Sequence, residues 1–122
     1  MSDEFLKVAR QEIQSEIDSL KTIFLFCIND EQLYKKSVDI EKRMHNIKGL
    51  APMMGQDKVG EIAKISDTIM KYVANHGILN GSHIMILEAV QKMDGLFNGI
   101  TDIEIGNFRN KVKQTFPDIL VS

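Results

Sequence analysis

One short segment of the chain combines residue types that suit phosphoryl chemistry. His45 is followed by Lys48 and Gly49, and Glu41 precedes it by four positions. Residues three and four positions apart share a helix face, so all of them would surround the imidazole. A neutral imidazole is a good nucleophile, an ammonium group can stabilise phosphoryl oxygens, and a glycine leaves room for a partner's backbone. The segment is therefore suited to accepting a phosphoryl group on His45.

Two residues that weaken helices lie close to His45. Gly49 and Pro52 interrupt a helical pattern whose apolar residues continue through Met54. An interior glycine costs about 1 kcal/mol relative to alanine, and an interior proline costs about 3 kcal/mol. Departures of this kind tend to occur at functional places, which adds support for a site at this end of the helix.

The elements that must position these residues are predicted from the spacing of apolar side chains. Apolar residues recur every three or four positions, and the two-residue alternation of strands is nearly absent, which predicts an all-α chain. The predicted helices cover about residues 3–28, 30–55, 57–77, 82–98 and 101–116. Their expected N-terminal caps are Asn29 or Asp30, Asp57, Ser82 and a capping box over residues 101–104.

The predicted helices are joined by short loops, which make neighbouring helices antiparallel. We expect an up-and-down antiparallel four-helix bundle over about residues 3–98, with an additional C-terminal helix over about residues 101–116. Residues 1–122 would form one domain. The 7 methionines are interpreted as core side chains, because neutral thioethers on separate helices do not form a metal-ligand cluster.

The composition argues against several classes of partner. The formal net charge is −2, and no basic run is interleaved with aromatic residues, so a nucleic-acid partner is not expected. Cys27 is the only cysteine, which excludes an intrachain disulfide and fits a reducing cytoplasm. The longest apolar run is too short to cross a bilayer, so no membrane role is expected. A monomer is the expected state, since no long apolar face is left over.

The eleven residues from His45 to Gly55 resemble the signature of histidine phosphotransfer domains. That signature has a histidine, two further residues, a lysine and a glycine on the second helix of a four-helix bundle, often followed by an alanine and a helix-ending glycine. Lys48, Gly49, Ala51 and Gly55 match it. Within this family the chain looks most like the N-terminal phosphoacceptor domain of chemotaxis-type histidine kinases.

The resemblance also assigns roles on the third helix. In the chemotaxis-type branch this helix faces the reactive histidine with a second histidine and, three residues on, a glutamate that bonds the ring. Lys64 and Asp67 stand at those positions here. Asp67 would orient His45 through water or small shifts, and Lys64 would contact the phosphoryl group. The alternative is that both are exposed surface charges.

The resemblance implies that His45 accepts a phosphoryl group through the ring nitrogen farther from the main chain and passes it to the aspartate of a response-regulator receiver domain. The donor would be a receiver or the catalytic domain of a histidine kinase, acting in cis or in trans. The chain has no ATP-binding motif and would bind no cofactor or metal, so magnesium is expected on the partner. A free-standing carrier and one domain of a larger kinase both remain open.

Other interpretations of these residues are weaker but remain testable. A helical docking module could bind a receiver or kinase domain without phosphoryl transfer, using apolar residues near the site such as Leu50 and Met53. A metal held by Glu41 and His45 is disfavoured, because the sequence lacks the Glu-x-x-His pairs of di-iron bundles. His76 and His83 flank a turn and are interpreted as surface residues.

Overall fold

The computed structural model describes residues 2–119, which contain six α-helices and one 3-10 helix but no strand, as the all-α prediction requires. In this part of the chain, no helix combines the length and the apolar character that crossing a bilayer requires. The elements are α1 (Asp3–Phe26), α2 (Asp30–Lys35), α3 (Ser37–Leu50), the 3-10 helix Pro52–Met54, α4 (Asp57–His76), α5 (Ser82–Phe97) and α6 (Ile105–Thr115).

Apolar side chains from all six α-helices meet in one hydrophobic core. Helix α3 packs against α1 and α4, while α4 also packs against α5 and α6, and α1 contacts α5. The apolar positions predicted to face inward are largely buried, including Ile17 on α1, Met44 on α3, Ile69 on α4 and Phe108 on α6. The helical spacing therefore identified the buried faces.

The predicted second helix is divided into three pieces. It ends first at Lys36, where α2 stops and α3 begins, because α2 packs against α5 while α3 packs mainly against α4. It ends again near Pro52, which has no backbone N–H and begins the 3-10 helix. Gly55 then adopts a left-handed conformation with a φ of 74°, so the prediction that Gly55 ends this segment is confirmed.

Helices α3 and α4 approach each other closely where Gly60 meets Pro52. A Cβ atom on Gly60 would lie 2.9 Å from Pro52 Cγ, which is closer than carbon atoms can pack. The absence of a side chain at Gly60 therefore allows the proline ring to sit against α4. His45, earlier on α3, contacts Asp67, later on α4, so these two contacts together show that the helices run antiparallel.

The predicted caps of α4 and α5 are wrong. Asp57 and Ser82 are the first helical residues of these helices, and neither helix has a side-chain cap on its preceding residue. At α5 the cap comes from α2, because the Asp30 carboxylate accepts hydrogen bonds from the backbone N–H groups of Gly81 at 2.9 Å and His83 at 2.8 Å. Only the predicted Asn29 cap forms, with its side chain accepting from the N–H of Gln32.

The capping box predicted over residues 101–104 is also wrong. Helix α6 begins at Ile105, and Glu104 precedes it in an extended conformation without a side-chain cap. Ile100 and Ile103 instead lie over Gly95, where a Cβ atom would be 3.2 and 3.3 Å from their terminal methyl groups. Packing of these two side chains against α5 keeps the segment extended, so the helix starts later than predicted.

A buried carboxylate on α1 sets the position of α3. Glu16 is 6% exposed, and its two oxygens accept from Arg43 Nη1 at 2.8 Å and from Asn46 Nδ2 at 2.6 Å. We call these three residues the Glu16 clamp. Arg43 and Asn46 lie on either side of His45 in sequence, so the clamp holds the helix face opposite α4 and turns His45 away from α1.

We expect Glu16→Ala to lower the free energy of unfolding by about 2 kcal/mol, because a buried ion pair and a hydrogen bond are both lost. Arg43 is 29% exposed and can turn toward water, which keeps the loss below that of a fully buried pair. Chemical denaturation would measure the change. The control Glu12→Ala, at an exposed position of α1, should change stability by less than about 0.5 kcal/mol. Equal effects of the two variants would contradict the clamp.

Candidate functional site

His45 lies on the exposed side of α3, next to the fully buried Met44. Its side chain is 56% exposed, and its Nδ1 atom lies 3.3 Å from Asp67 Oδ2 on α4. The ring therefore has one nitrogen held by the protein. Because Nδ1 faces Asp67, Nε2 is the nitrogen left for a reaction partner.

Asp67 is the buried centre of the site. Its side chain is only 2% exposed, and its Oδ2 atom is approached by His45 Nδ1 at 3.3 Å, Lys48 Nζ at 3.2 Å and Lys71 Nζ at 3.3 Å. The contact with His45 is direct, whereas the sequence suggested water or small shifts. A single carboxylate oxygen thus links the imidazole to two ammonium groups.

The carboxyl of Asp67 is stabilised in its charged form. Burial alone would raise the pKa of Asp67, since it disfavours a charge. Hydrogen bonds from Glu41, from the two lysines and from His45 outweigh burial and hold the pKa of Asp67 below its usual value. An ionised carboxylate can only accept hydrogen bonds, so the Nδ1 atom of His45 must carry the proton that it shares with Asp67.

The carboxyl of Glu41 lies on the other side of Asp67. One ligand atom each from Glu41, His45 and Asp67 lie within 4.8 Å of one another. The pKa of Glu41 is raised, first by the hydrogen bond that its protonated form makes to Asp67, then by burial and by the negative charge of Asp67. Asp67 Oδ1 has no hydrogen-bond partner within residues 2–119, so it is the oxygen that could accept from a protonated Glu41.

The lysine and the glycine of the motif occupy the same side of α3 as His45. Lys48 is 34% exposed and reaches Asp67 across the interface between α3 and α4. Gly49 is exposed, and a Cβ atom added there would have no described neighbour within 4 Å. The surface next to His45 is therefore open at Gly49.

The second lysine at the site is Lys71 rather than Lys64. Lys64 is exposed, and no hydrogen bond or ion pair joins it to His45 or Asp67 among the described residues. Lys71 lies one turn after Asp67, at the usual spacing for an ion pair on a helix. Sequence reasoning missed Lys71, although its position four residues after Asp67 was a signal that could have identified it.

An open cleft of about 370 Å³ lies beside the imidazole, lined by Glu41, Lys42, His45, Asn46 and Lys71. A larger surface cleft, of about 620 Å³, lies along α1 and has no histidine in its lining. The smaller cleft is the better candidate for a reaction site, because it alone of these two places a nucleophile beside cationic side chains.

Glu41, His45 and Asp67 are the three described residues that could together hold a metal ion. Two ammonium groups already contact Asp67 Oδ2, and they would repel a cation beside them. We therefore interpret this group as a cluster in which Asp67 orients His45.

The other two histidines make structural contacts. His76 is exposed, as predicted, and its Nδ1 atom lies 2.9 Å from the carbonyl oxygen of Tyr72. His83 is half-buried rather than on the surface, with Nε2 2.7 Å from the carbonyl oxygen of Cys27 and its ring packed against Phe24. Neither ring lies beside a carboxylate and two lysines, which distinguishes both of them from His45.

Comparisons of the chain with protein-family models, with curated proteins and with solved structures found no match. A functional proposal for this chain therefore depends on the residues around His45 and on their geometry.

We expect neutral His45 to carry its proton on Nδ1, because only a protonated Nδ1 can bond to the Asp67 carboxylate. His83 should show the opposite tautomer, since its Nε2 atom faces a carbonyl oxygen. Long-range ¹H–¹⁵N correlation spectra at mildly alkaline pH would identify both tautomers in one sample. An Nε2–H tautomer at His45 would contradict the geometry of the site, and His83 serves as the internal reference.

Proposed function

We propose that the chain is a histidine phosphotransfer domain that accepts a phosphoryl group on Nε2 of His45 and passes it to the aspartate of a receiver domain. The observation that carries this proposal is the exposed imidazole whose Nδ1 atom is held by the buried Asp67. A nucleophile needs one free nitrogen in a defined orientation, and this contact supplies both conditions.

In the proposed reaction the lone pair of Nε2 attacks the phosphorus of the partner's aspartyl phosphate. The new N–P bond forms as the bond between phosphorus and the aspartyl oxygen breaks, and the released electrons stay on the partner's carboxylate. The proton on Nδ1 remains in place, so the ring becomes positively charged. The Asp67 carboxylate, 3.3 Å away, stabilises that charge, and transfer to the next receiver is the reverse reaction.

Lys48 and Gly49 have separate roles in this proposal. Lys48 is a cation within reach of the phosphoryl oxygens, and it is held near the imidazole by its 3.2 Å contact with Asp67. Gly49 provides open surface against which a partner's backbone can pack. The partner would supply magnesium and most of the catalytic groups, because phosphoryl transfer depends mainly on positioning and charge stabilisation.

We also propose the bundle arrangement that the family resemblance implies. In it α1, the α2–α3 pair, α4 and α5 form an up-and-down antiparallel four-helix bundle, and α6 lies outside. The antiparallel pairing of α3 and α4, the contacts of α1 with α3 and α5, and the contact of α6 with α4 support this arrangement. It would present His45 on the side of the bundle, where a receiver domain can reach it.

The proposed partners are a response-regulator receiver domain and the catalytic domain of a histidine kinase, in the cytoplasm. We propose that the chain acts as a monomer and binds neither nucleic acid nor a membrane. The partner surface would include Met53, which is 46% exposed beyond Gly49, together with the half-buried Leu50. These apolar side chains would equally suit the alternative function, a docking module without phosphoryl transfer, so labelling of His45 must distinguish the two.

The first test incubates the chain with a phosphorylated receiver domain and magnesium. We expect an acid-labile, alkali-stable label on the wild-type chain and none on His45→Gln, because the glutamine amide is not a nucleophile. The control His76→Gln removes an exposed histidine outside the site and should retain the label. Binding of several receivers and a kinase domain without any label on the wild type would favour the docking module.

The second test distinguishes two effects of a side chain at Gly49, one on the approach of the partner and one on the stability of α3. Gly49→Ala should stabilise the fold by up to about 1 kcal/mol, since alanine is the better helix former and has open space there. It should nevertheless lower kcat/KM for transfer from a receiver about tenfold, or about 1.4 kcal/mol, because the methyl group meets the partner.

Gly106→Ala is the matched control for that test. Gly106 lies in α6, and a Cβ atom there also has open space, so this variant should be stabilised without any change in transfer. Normal transfer by Gly49→Ala would rule out the proposed clearance. Equal slowing in both variants would point to the stability of the fold instead.

A further inference from the structure

Lys71 is a charged residue of the site that the proposed transfer reaction does not yet use. Its Nζ atom lies 3.3 Å from Asp67 Oδ2, its side chain is 53% exposed, and it lines the cleft beside His45. Lys48, the lysine of the motif, is absent from the residues that line this cleft. The two ammonium groups come from different helices, α3 and α4, and Lys71 is the one that lines the cleft.

The contact between Lys71 and Asp67 is readily exchanged. Three donors converge on Oδ2, whereas an oxygen has few lone-pair directions to share among them. The Lys71 side chain is long and more exposed than that of Lys48. It can therefore move without any change in the backbone of α4. Its ammonium group can leave Asp67 for another anion at little cost.

A phosphoryl group on Nε2 would be such an anion. It carries up to about two negative charges and three strong acceptor oxygens, and it would stand beside the cleft that Glu41 also lines. Repulsion between these groups favours an added cation on the side of the cleft. Lys71 and His45 contact the same oxygen of Asp67. The ammonium group of Lys71 therefore lies near the imidazole ring, and rotation of the lysine side chain would bring it toward a group on Nε2.

We propose that Lys71 is a second phosphoryl-binding residue, which pairs with Asp67 before transfer and with the phosphoryl oxygens of His45 after it. This inference rests on the proposed function of His45. Lys71 thus takes the role that the sequence suggested for Lys64 on the same helix, α4. With Lys48 on α3, it would place one ammonium group from each helix beside the phosphoryl group.

The experiment charges His45 chemically, so that no partner protein is needed. Phosphoramidate transfers its phosphoryl group to an exposed imidazole: the Nε2–P bond forms as the P–N bond of the reagent breaks, and the nitrogen leaves as ammonia. Phosphorus NMR then measures the pKa of the phosphoryl group. Thermal unfolding of each uncharged variant shows whether its fold is retained.

We expect Lys71→Met to raise the phosphoryl pKa by about 0.5 or more, because loss of a nearby cation favours protonation of the phosphoryl oxygens. Lys71→Arg should restore the wild-type value. Lys64→Met should have a smaller effect than Lys71→Met, and Lys7→Met, far along α1, should have none. A purely structural role of Lys71 would change thermal unfolding and leave the phosphoryl pKa as it is.

The outcomes separate the two proposals. If Lys71→Met leaves the phosphoryl pKa at the wild-type value while receivers still label His45, the role of Lys71 is wrong and the proposed function stands. If receivers never label His45, the proposed function is wrong, whatever the phosphoryl pKa shows. If neither phosphoramidate nor any receiver labels His45 of the wild-type chain, both proposals are overturned.

Discussion

The burial of the Asp67 carboxylate is the constraint on which the arrangement of this site depends. An unpaired buried charge carries a desolvation cost of several kcal/mol, which is a large share of the about 5–15 kcal/mol by which folded domains are stable. Donors from two helices converge on one of its oxygens, and they keep the carboxyl ionised. The need to satisfy this charge orients the imidazole and gathers two ammonium groups within a few ångströms of it.

The interface between α3 and α4 brings these groups together, because it is held at two separated places. At one end the missing side chain of Gly60 lets Pro52 sit against α4, and nearer the middle His45 and Lys48 contact Asp67. On the far face of α3, the Glu16 clamp fixes the rotation of the helix against α1. Residues outside the cluster around Asp67 thus help to determine which nitrogen of the imidazole faces solvent.

Helical spacing was sufficient to predict the helical class, most buried faces and the neighbours of His45 on its own helix, because such spacing is local information. The pairing of His45 with Asp67 on another helix came from the family resemblance instead. Helical spacing did not predict the helix break at Lys36 or the capping of α5 by Asp30, since both depend on which helices pack together. The same limit explains why the sequence suggested Lys64 at the site, whereas Lys71 is the lysine of α4 that contacts Asp67. Both lie within one turn of Asp67, and only the packing of α4 against α3 decides which ammonium group turns toward the carboxylate.

The most direct test of the account is to locate the phosphoryl group by phosphorus–nitrogen correlation NMR on ¹⁵N-labelled chain charged by a receiver domain. If His45 accepts the phosphoryl group as proposed, we expect a one-bond coupling between phosphorus and Nε2 of His45, with Nδ1 still protonated beside Asp67. Phosphorus bonded to Nδ1, or attached to any residue other than His45, would contradict it.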